Sequence, residues 1–167
     1  MSSREHKKQA PARVKTGIIS ISSSRLLADD KSGHWIARAA KKERHQLVDH
    51  LVAPDDIDHI RTTVCRLINR HRPHLLILTG GTGIAAQDVT IEAMRPLFRK
   101  ELAAFAVAAA QLSFEKIDSA AILSRTTAGI FSQTVVFCIP GSLDACKLIC
   151  RGLIFPEAGH LAKHLAE

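Results

Sequence analysis

The segment that most restricts the fold is an unbroken apolar run, Leu75 to Leu78, passing directly into Thr79-Gly80-Gly81-Thr82-Gly83. Four successive apolar residues leave no polar face, so the run reads as a central parallel strand covered on both sides. The segments around it alternate between the periods of strand and helix. Val14 to Ser22 reads as a buried strand, followed by the loop Ser22 to Gly33 and a helix from about His34 to Arg44. Gln46 to Ala53 is a second strand stopped by Pro54, after which Asp55 or Asp56 can cap a helix from Ile57 to His71. In that helix Ile57, Ile60, Val64, Leu67 and Ile68 recur at helical spacing while Arg61, Arg66 and Arg70 face water.

Beyond the glycines, the pattern predicts a short helix near Ile91 to Phe98, broken at Pro96. A longer alanine-rich helix follows from Lys100 to about Phe114, with Leu102, Phe105, Ala109 and Leu112 as its apolar stripe. Ser119 to Arg125 has no assignable period. Thr134 to Ile139 is a strand that Pro140-Gly141-Ser142 turns into a helix from Leu143 to Leu153, and a last helix covers Glu157 to Leu165. Strands that alternate with helices predict a three-layer α/β/α domain with a mainly parallel central sheet.

With 167 residues, one such domain over 14–167 is enough, preceded by a flexible basic tail over 1–13. The longest apolar stretch, Leu102 to Ala110, falls well short of the roughly 20 residues that span a bilayer. No charged segment followed by an apolar one opens the chain, so the cytoplasm is the expected location. The net charge of +7 invites a nucleic-acid reading, but its distribution opposes one. Arg4, Lys7, Lys8, Arg13 and Lys15, against Glu5 alone, supply more than half of it. The remainder is dispersed among acidic residues, and with no tyrosine and 4% aromatics there is little to stack on bases. Nucleic acid is therefore not an expected partner.

Cys65, Cys138, Cys146 and Cys150 form no C-x-x-C pair and read as reduced thiols. His160 and His164 stand one helical turn apart without an evident acidic third ligand, and read as surface histidines.

In an open parallel sheet, ligands gather outside the carboxyl ends of the strands. Three loops lie there: Ser22 to Gly33, Gly80 to Asp88, and Pro140 to Ser142. Glycines permit positive φ, successive N–H groups can form an anion nest, and helix N-termini add partial positive charge. The spacing is neither a G-x-x-x-x-G-K-[ST] phosphate loop nor a G-x-G-x-x-G fingerprint. On residue type alone, Asp55 suits a helix cap and Asp88 a turn or cap.

The longer string is more informative. Thr79-Gly80-Gly81-Thr82-Gly83 followed by Asp88-Val89-Thr90 and Glu92-Ala93 resembles the signature of the MoaB/MogA family of molybdenum cofactor biosynthesis. Asp29-Asp30-Lys31-Ser32-Gly33, Pro54-Asp55-Asp56, Leu112-Ser113-Phe114-Glu115, Leu123-Ser124-Arg125, Ala128-Gly129 and Pro140-Gly141-Ser142 match in the same order. The resemblance implies a molybdopterin-binding-like fold, a homotrimer or hexamer, and other proteins of the same biosynthesis as candidate partners. In active members it implies adenylylation of molybdopterin from ATP with Mg²⁺. Gly80, Gly81, Thr82 and Gly83 would then cradle phosphate. Asp55 and Asp88 would be the catalytic carboxylates and would hold Mg²⁺, and Ser124, Arg125, Gly141 and Ser142 would line the pterin and nucleotide pockets. The chain departs from the usual pattern at Ser23 (often Asp), Gln87 (usually Arg), Val107 (usually Glu) and Leu143 (commonly Pro). The alternative implied by these departures is a non-catalytic molybdopterin-binding protein.

Overall fold

In the computed structural model, which describes Pro11 and residues 13–167, the apolar run at Leu75 divides between two layers. Side chains alternate across a strand, so Leu75 and Ile77 enter one core cluster while Leu76 and Leu78 enter the other. All four are fully buried. The basic segment over 1–13, Pro11 and Arg13 excepted, lies outside the described residues.

The elements run β1 (Lys15–Ile21), α1 (Lys31–Lys42), β2 (Gln46–Ala53), α2 (Ile57–His71), β3 (Leu75–Thr79), α3 (Thr90–Met94), β4 (Lys100–Glu101), α4 (Ala103–Ile117), β5 (Thr127–Phe131), β6 (Thr134–Ile139), α5 (Leu143–Ile149) and α6 (Phe155–Ala166). The sheet order is β2-β1-β3-β6-β5-β4. β2, β1, β3 and β6 are parallel, and β5 and β4 close one edge antiparallel. On one face, Ile36 and Ala40 of α1, Ile149 of α5 and Ala158 of α6 pack with Leu75, Ile77 and Phe137. On the other, Ile60, Val64 and Leu67 of α2 and Met94 of α3 pack with Ile19, Leu76 and Val136. This is the three-layer, mainly parallel arrangement that the alternating periods predict, and among the described residues no helix is long and apolar enough to cross a membrane.

Several boundaries differ from the sequence reading. α1 begins at Lys31 rather than His34, because the Asp30 carboxylate accepts from the Gly33 N–H at 3.0 Å and caps the helix three residues earlier. The short helix near Ile91 ends at Met94 and passes into a 3-10 turn over Arg95–Leu97, with Pro96 in its first turn. The alanine-rich helix starts at Ala103, not Lys100. Arg99 and Leu102 N–H donate to Ile130 and Ala128 carbonyls, which draws Lys100–Glu101 into the sheet edge. The apolar stretch after it is 3-10 structure over Asp118–Leu123.

β5 has no strong sequence signal, since Ala128 and Gly129 dilute its β character. A two-residue turn, Ser132-Gln133, pairs it with β6, and Ser132 carries the positive φ of 56° that closes the hairpin. Finally, the two C-terminal helices are continuous through a π-helical segment at Cys150–Ile154. A regular turn would put the Pro156 ring against the carbonyl four residues back, and the wider turn immediately precedes it.

Candidate functional site

β1, β3 and β6 are neighbours in the sheet, so the loops leaving their carboxyl ends meet. Together they line a cleft of ≈ 580 Å³ whose walls include Asp55, Gly80 to Gly83, Gln87, Asp88, Ser124, Gly141 and Ser142.

The glycine loop is fastened at both ends. Gly80 N–H donates to Ile139 O at 3.0 Å, Thr90 Oγ1 donates to Gly80 O at 2.8 Å, and Thr90 N–H donates to Gly81 O at 2.9 Å. Gly80 has φ of 106° and Gly81 of 61°. A Cβ on Gly80 would stand 2.4 Å from the Ile21 carbonyl oxygen, so both backbone conformation and space require glycine there. Because the Gly80 N–H is committed to Ile139, the amides that remain for an anion are those of Gly81, Thr82 and Gly83. These make no hydrogen bond among the described residues. At Gly83 a Cβ would stand 2.6 Å from Asp88 Oδ2, so this carboxylate can lie against the loop only over a glycine.

The two aspartates are held by different segments, Asp55 by Ser23 and Asp88 by Ala85. Asp56, not Asp55, caps α2 by accepting from the His59 N–H at 2.9 Å, a bond that also keeps its carboxyl below the usual carboxylate range. Asp55 is thereby released toward the β1 loop. Its Oδ2 accepts from Ser23 N–H at 2.7 Å and Ser23 Oγ at 2.8 Å, while its own N–H donates to Ser23 Oγ at 3.0 Å. Asp88 Oδ2 accepts from the Ala85 N–H at 2.9 Å, and α3 has no side-chain cap at all. Among the described residues, Oδ1 of each aspartate accepts no hydrogen bond. Carboxylate oxygens lining the same cleft as the unbonded loop amides are the donor type that a hard cation such as Mg²⁺ takes, with phosphate oxygens and water completing its shell. No group of three or more His, Cys, Asp or Glu gathers into a metal cluster among the described residues.

Arg125 stands apart from the other candidates, for it is not in the cleft wall. Its Nε donates to Gly83 O at 3.0 Å and Thr82 O at 3.2 Å, its Nη2 donates to Asp88 O at 3.2 Å, and its Nη1 reaches Glu92 Oε1 at 2.6 Å. The guanidinium thus gathers three loop carbonyls behind the nest, and the hydrogen bond from it holds the Glu92 carboxyl below its usual value. The ion pair is half-exposed and contributes little by itself; the forked donation to carbonyls is the larger effect. Arg125→Lys, which cannot reproduce the fork, is expected to cost about 1–2 kcal/mol in urea unfolding. It should also weaken phosphate binding while leaving the cleft's charge unchanged.

The loop after β6 is tied in from below. Thr79 Oγ1 donates to Pro140 O at 2.9 Å, and Ser32 Oγ from α1 donates to Gly141 O at 2.8 Å. Ser142 caps α5, accepting from Ala145 N–H at 3.3 Å. Beneath Ser32 lies a buried polar cluster that sequence reasoning did not single out. Asp30 Oδ2 accepts from Ser20 Oγ and lies 2.7 Å from His50 Nε2. Burial alone would raise its pKa, but the hydrogen bonds from His50, Ser20 and Gly33 outweigh this and bring it to about 2. A second omission is Arg25, a cation in the cleft wall; the serine-rich run before it had no periodicity to mark it. The four cysteines are free, and burial pushes the Cys138 thiol up to about 12.

Comparisons agree with this geometry. A family model described as a probable molybdopterin binding domain matches residues 17–160. The molybdenum cofactor biosynthesis protein B of Bacillus subtilis is 40% identical over 166 residues, covering 99% of this chain and 98% of the relative. A probable molybdopterin adenylyltransferase of Methanocaldococcus jannaschii is 34% identical, covering 92% and 95%. A crystal structure of a molybdenum cofactor biosynthesis protein B superposes with a TM-score of 0.90 at 35% identity, covering 95% of this chain and 99% of that one. Since the family model spans residues 17–160, relatives of 34–40% identity match over nearly the whole chain and a solved structure superposes over 95% of it, the chain belongs to the molybdopterin-binding-domain family of molybdenum cofactor biosynthesis proteins.

Proposed function

We propose that the protein acts in molybdenum cofactor biosynthesis by binding molybdopterin in this cleft and adenylylating it from Mg-ATP. The observation that carries the reading is the pair of carboxylates, Asp55 and Asp88, each with Oδ2 bound to the protein, lining the same cleft as the Gly81–Gly83 amides. In the reaction, an oxygen of the pterin's terminal phosphate forms a bond to the α-phosphorus of ATP. The bond from that phosphorus to the bridging oxygen breaks, and pyrophosphate leaves. No protein nucleophile is required; in-line positioning and charge stabilisation suffice. The loop amides and Arg25 would bind and orient phosphate, and Ser23 would keep Asp55 aimed into the cleft. Ser124, Gly141 and Ser142 would line the pocket around the substrates. When bound between Asp55 and Asp88, Mg²⁺ would supply neutralisation of phosphate charge. The name of the M. jannaschii relative supports this reading.

Incubation with molybdopterin and Mg-ATP should yield adenylylated molybdopterin and pyrophosphate. A binding-only reading has one observation in its favour: Gln87 lines the cleft where relatives of this pattern usually have a cation. Molybdopterin binding without any adenylylated product would select it, and the absence of binding would remove both.

We also propose self-association as a homotrimer or hexamer. Val107, Phe114 and Ile117 on α4 and the adjoining Ile122 and Leu123 are large apolar side chains, each more than half exposed. A face of this kind is usually covered by a partner. Sedimentation is expected to show no species at the 18.2 kDa monomer mass; a single species there would refute assembly.

A further inference from the structure

At the amino ends of β3 and β6, three segments enclose a hollow of ≈ 510 Å³. The end of α2 brings Asn69 and Arg72, the turn between β5 and β6 brings Ser132 and Gln133, and the end of α6 brings Leu165. Hydrogen bonds fix these walls to one another. Thr134 Oγ1 donates to Pro73 O at 2.7 Å, and Val135 N–H donates to His74 O at 2.9 Å. The cleft opens at the other ends of the same strands. β3 has five residues, so the hollow lies a strand's length, about 16 Å, from the glycine loop.

The polar lining is rich in donors. Among the described residues, the Arg72 guanidinium takes part in no hydrogen bond or ion pair. His74 Nδ1 accepts from the Lys15 N–H at 2.9 Å, so the neutral ring carries its proton on Nε2, as a donor. Burial and the neighbouring Lys15 cation both lower the His74 pKa, which keeps that ring neutral at pH 7. The Asn69 and Gln133 amides add N–H groups, and no Asp or Glu lines the hollow among the described residues. Ile68 and Leu165 supply an apolar wall. A cation with several donors, no acid and an apolar wall matches an anion that carries an apolar body.

The backbone adds a second observation. Arg72 and Ser132 hold positive φ, at 46° and 56°, and both line this hollow. Glycine is the least strained residue at such a helix end. A cation does favour the carboxyl end of a helix, but Arg70 and His71 already supply one in the last turn of α2. Left-handed side-chain-bearing residues gathered at one hollow are the pattern of a ligand clamp.

We propose that this hollow binds a small organic anion, its oxyanion group on Arg72 and its apolar body against Ile68 and Leu165. Neither the glycine loop nor Asp55 and Asp88 lie at this end, so the ligand is not a substrate of the transfer proposed above.

The test titrates butyrate into the full chain and follows amide chemical shifts. The wild type should show saturating shifts at Arg72, His74 and Gln133, with the Gly80 to Gly83 amides unmoved. Arg72→Gly should weaken binding about tenfold or more, while its urea midpoint stays at or above the wild type's, because glycine relieves the left-handed backbone. Arg72→Lys keeps the charge but not the planar fork, and should fall between the two. Should Arg72→Gly unfold more readily, Arg72→Asn, which also tolerates this conformation, gives the same comparison. Shifts that never saturate, equal binding of neutral butyramide, or wild-type affinity in Arg72→Gly and Arg72→Asn would each overturn the site.

Discussion

Asp88→Asn lowers adenylyl transfer by about 10²–10³-fold and leaves molybdopterin affinity within a few-fold, on the reading proposed above. The two effects separate because the substitution changes charge and little else. Asp88 Oδ2 accepts from the Ala85 N–H at 2.9 Å, and an asparagine oxygen can accept the same bond. The turn and the packing over Gly83 should therefore persist, with unfolding free energy unchanged to within about 0.5 kcal/mol. The lost element is the negative charge facing the cleft beside Oδ1, which Mg²⁺ would require. A pterin held mainly by backbone donors scarcely registers that loss. Single-turnover formation of adenylylated pterin, with binding measured in parallel, distinguishes the effects. Wild-type turnover in Asp88→Asn would remove this carboxylate from the chemistry, and reduced stability would show that its role is to hold the turn.

Asp30→Ala is expected to destabilise the fold by about 3–5 kcal/mol, the range for removing one partner of a buried hydrogen-bonded pair. Asp30 is 1% exposed and serves Ser20, His50 and the Gly33 N–H together. Its loss strands all three and uncaps α1. The same residue governs stability in acid. Its pKa falls from 3.8 to about 2 on folding, so its stabilising contribution is complete above pH 4 and is lost as pH falls through 2. Across that window the wild type should lose about 2 kcal/mol from this group, and Asp30→Ala should lack that component. Urea unfolding of both proteins between pH 5 and about 2 measures it; parallel pH profiles would show that Asp30 titrates normally. Because Ser32 on α1 holds the Gly141 carbonyl at 2.8 Å, the variant should also bind phosphate more weakly at pH 7.

Much of the fold was legible from local period. β2, α2 and β6 begin and end where residue pattern and flanking prolines place them, because each carries a full apolar face and a clear stop. β5 was not legible. Thr127–Phe131 contains Ala128 and Gly129, and its place in the sheet comes from pairing with β6, a non-local energy absent from its own sequence. The start of α4 was misread for a related reason: Lys100 and Glu101 suit a helix, but backbone pairing with Ile130 and Gly129 takes them into the sheet.

For the candidate site, the sequence by itself supplied the ingredients: the glycine loop, the strand before it, and a signature that singles out Asp55 and Asp88 as candidates. Glycine spacing and residue chemistry are local properties, and they survive being read in one dimension. Tertiary structure alone decided how those ingredients divide their work. It committed the Gly80 amide to Ile139, assigned the cap of α2 to Asp56, turned Arg125 behind the loop, and assembled Ser20, Asp30 and His50 from three separate segments. Apart from the Asp56 cap, a local bond to the His59 N–H, each of these outcomes depends on which donor meets which acceptor between separate segments of the chain. That is set by packing between residues up to 59 positions apart, as between Gly80 and Ile139, and no local pattern in the chain encodes it.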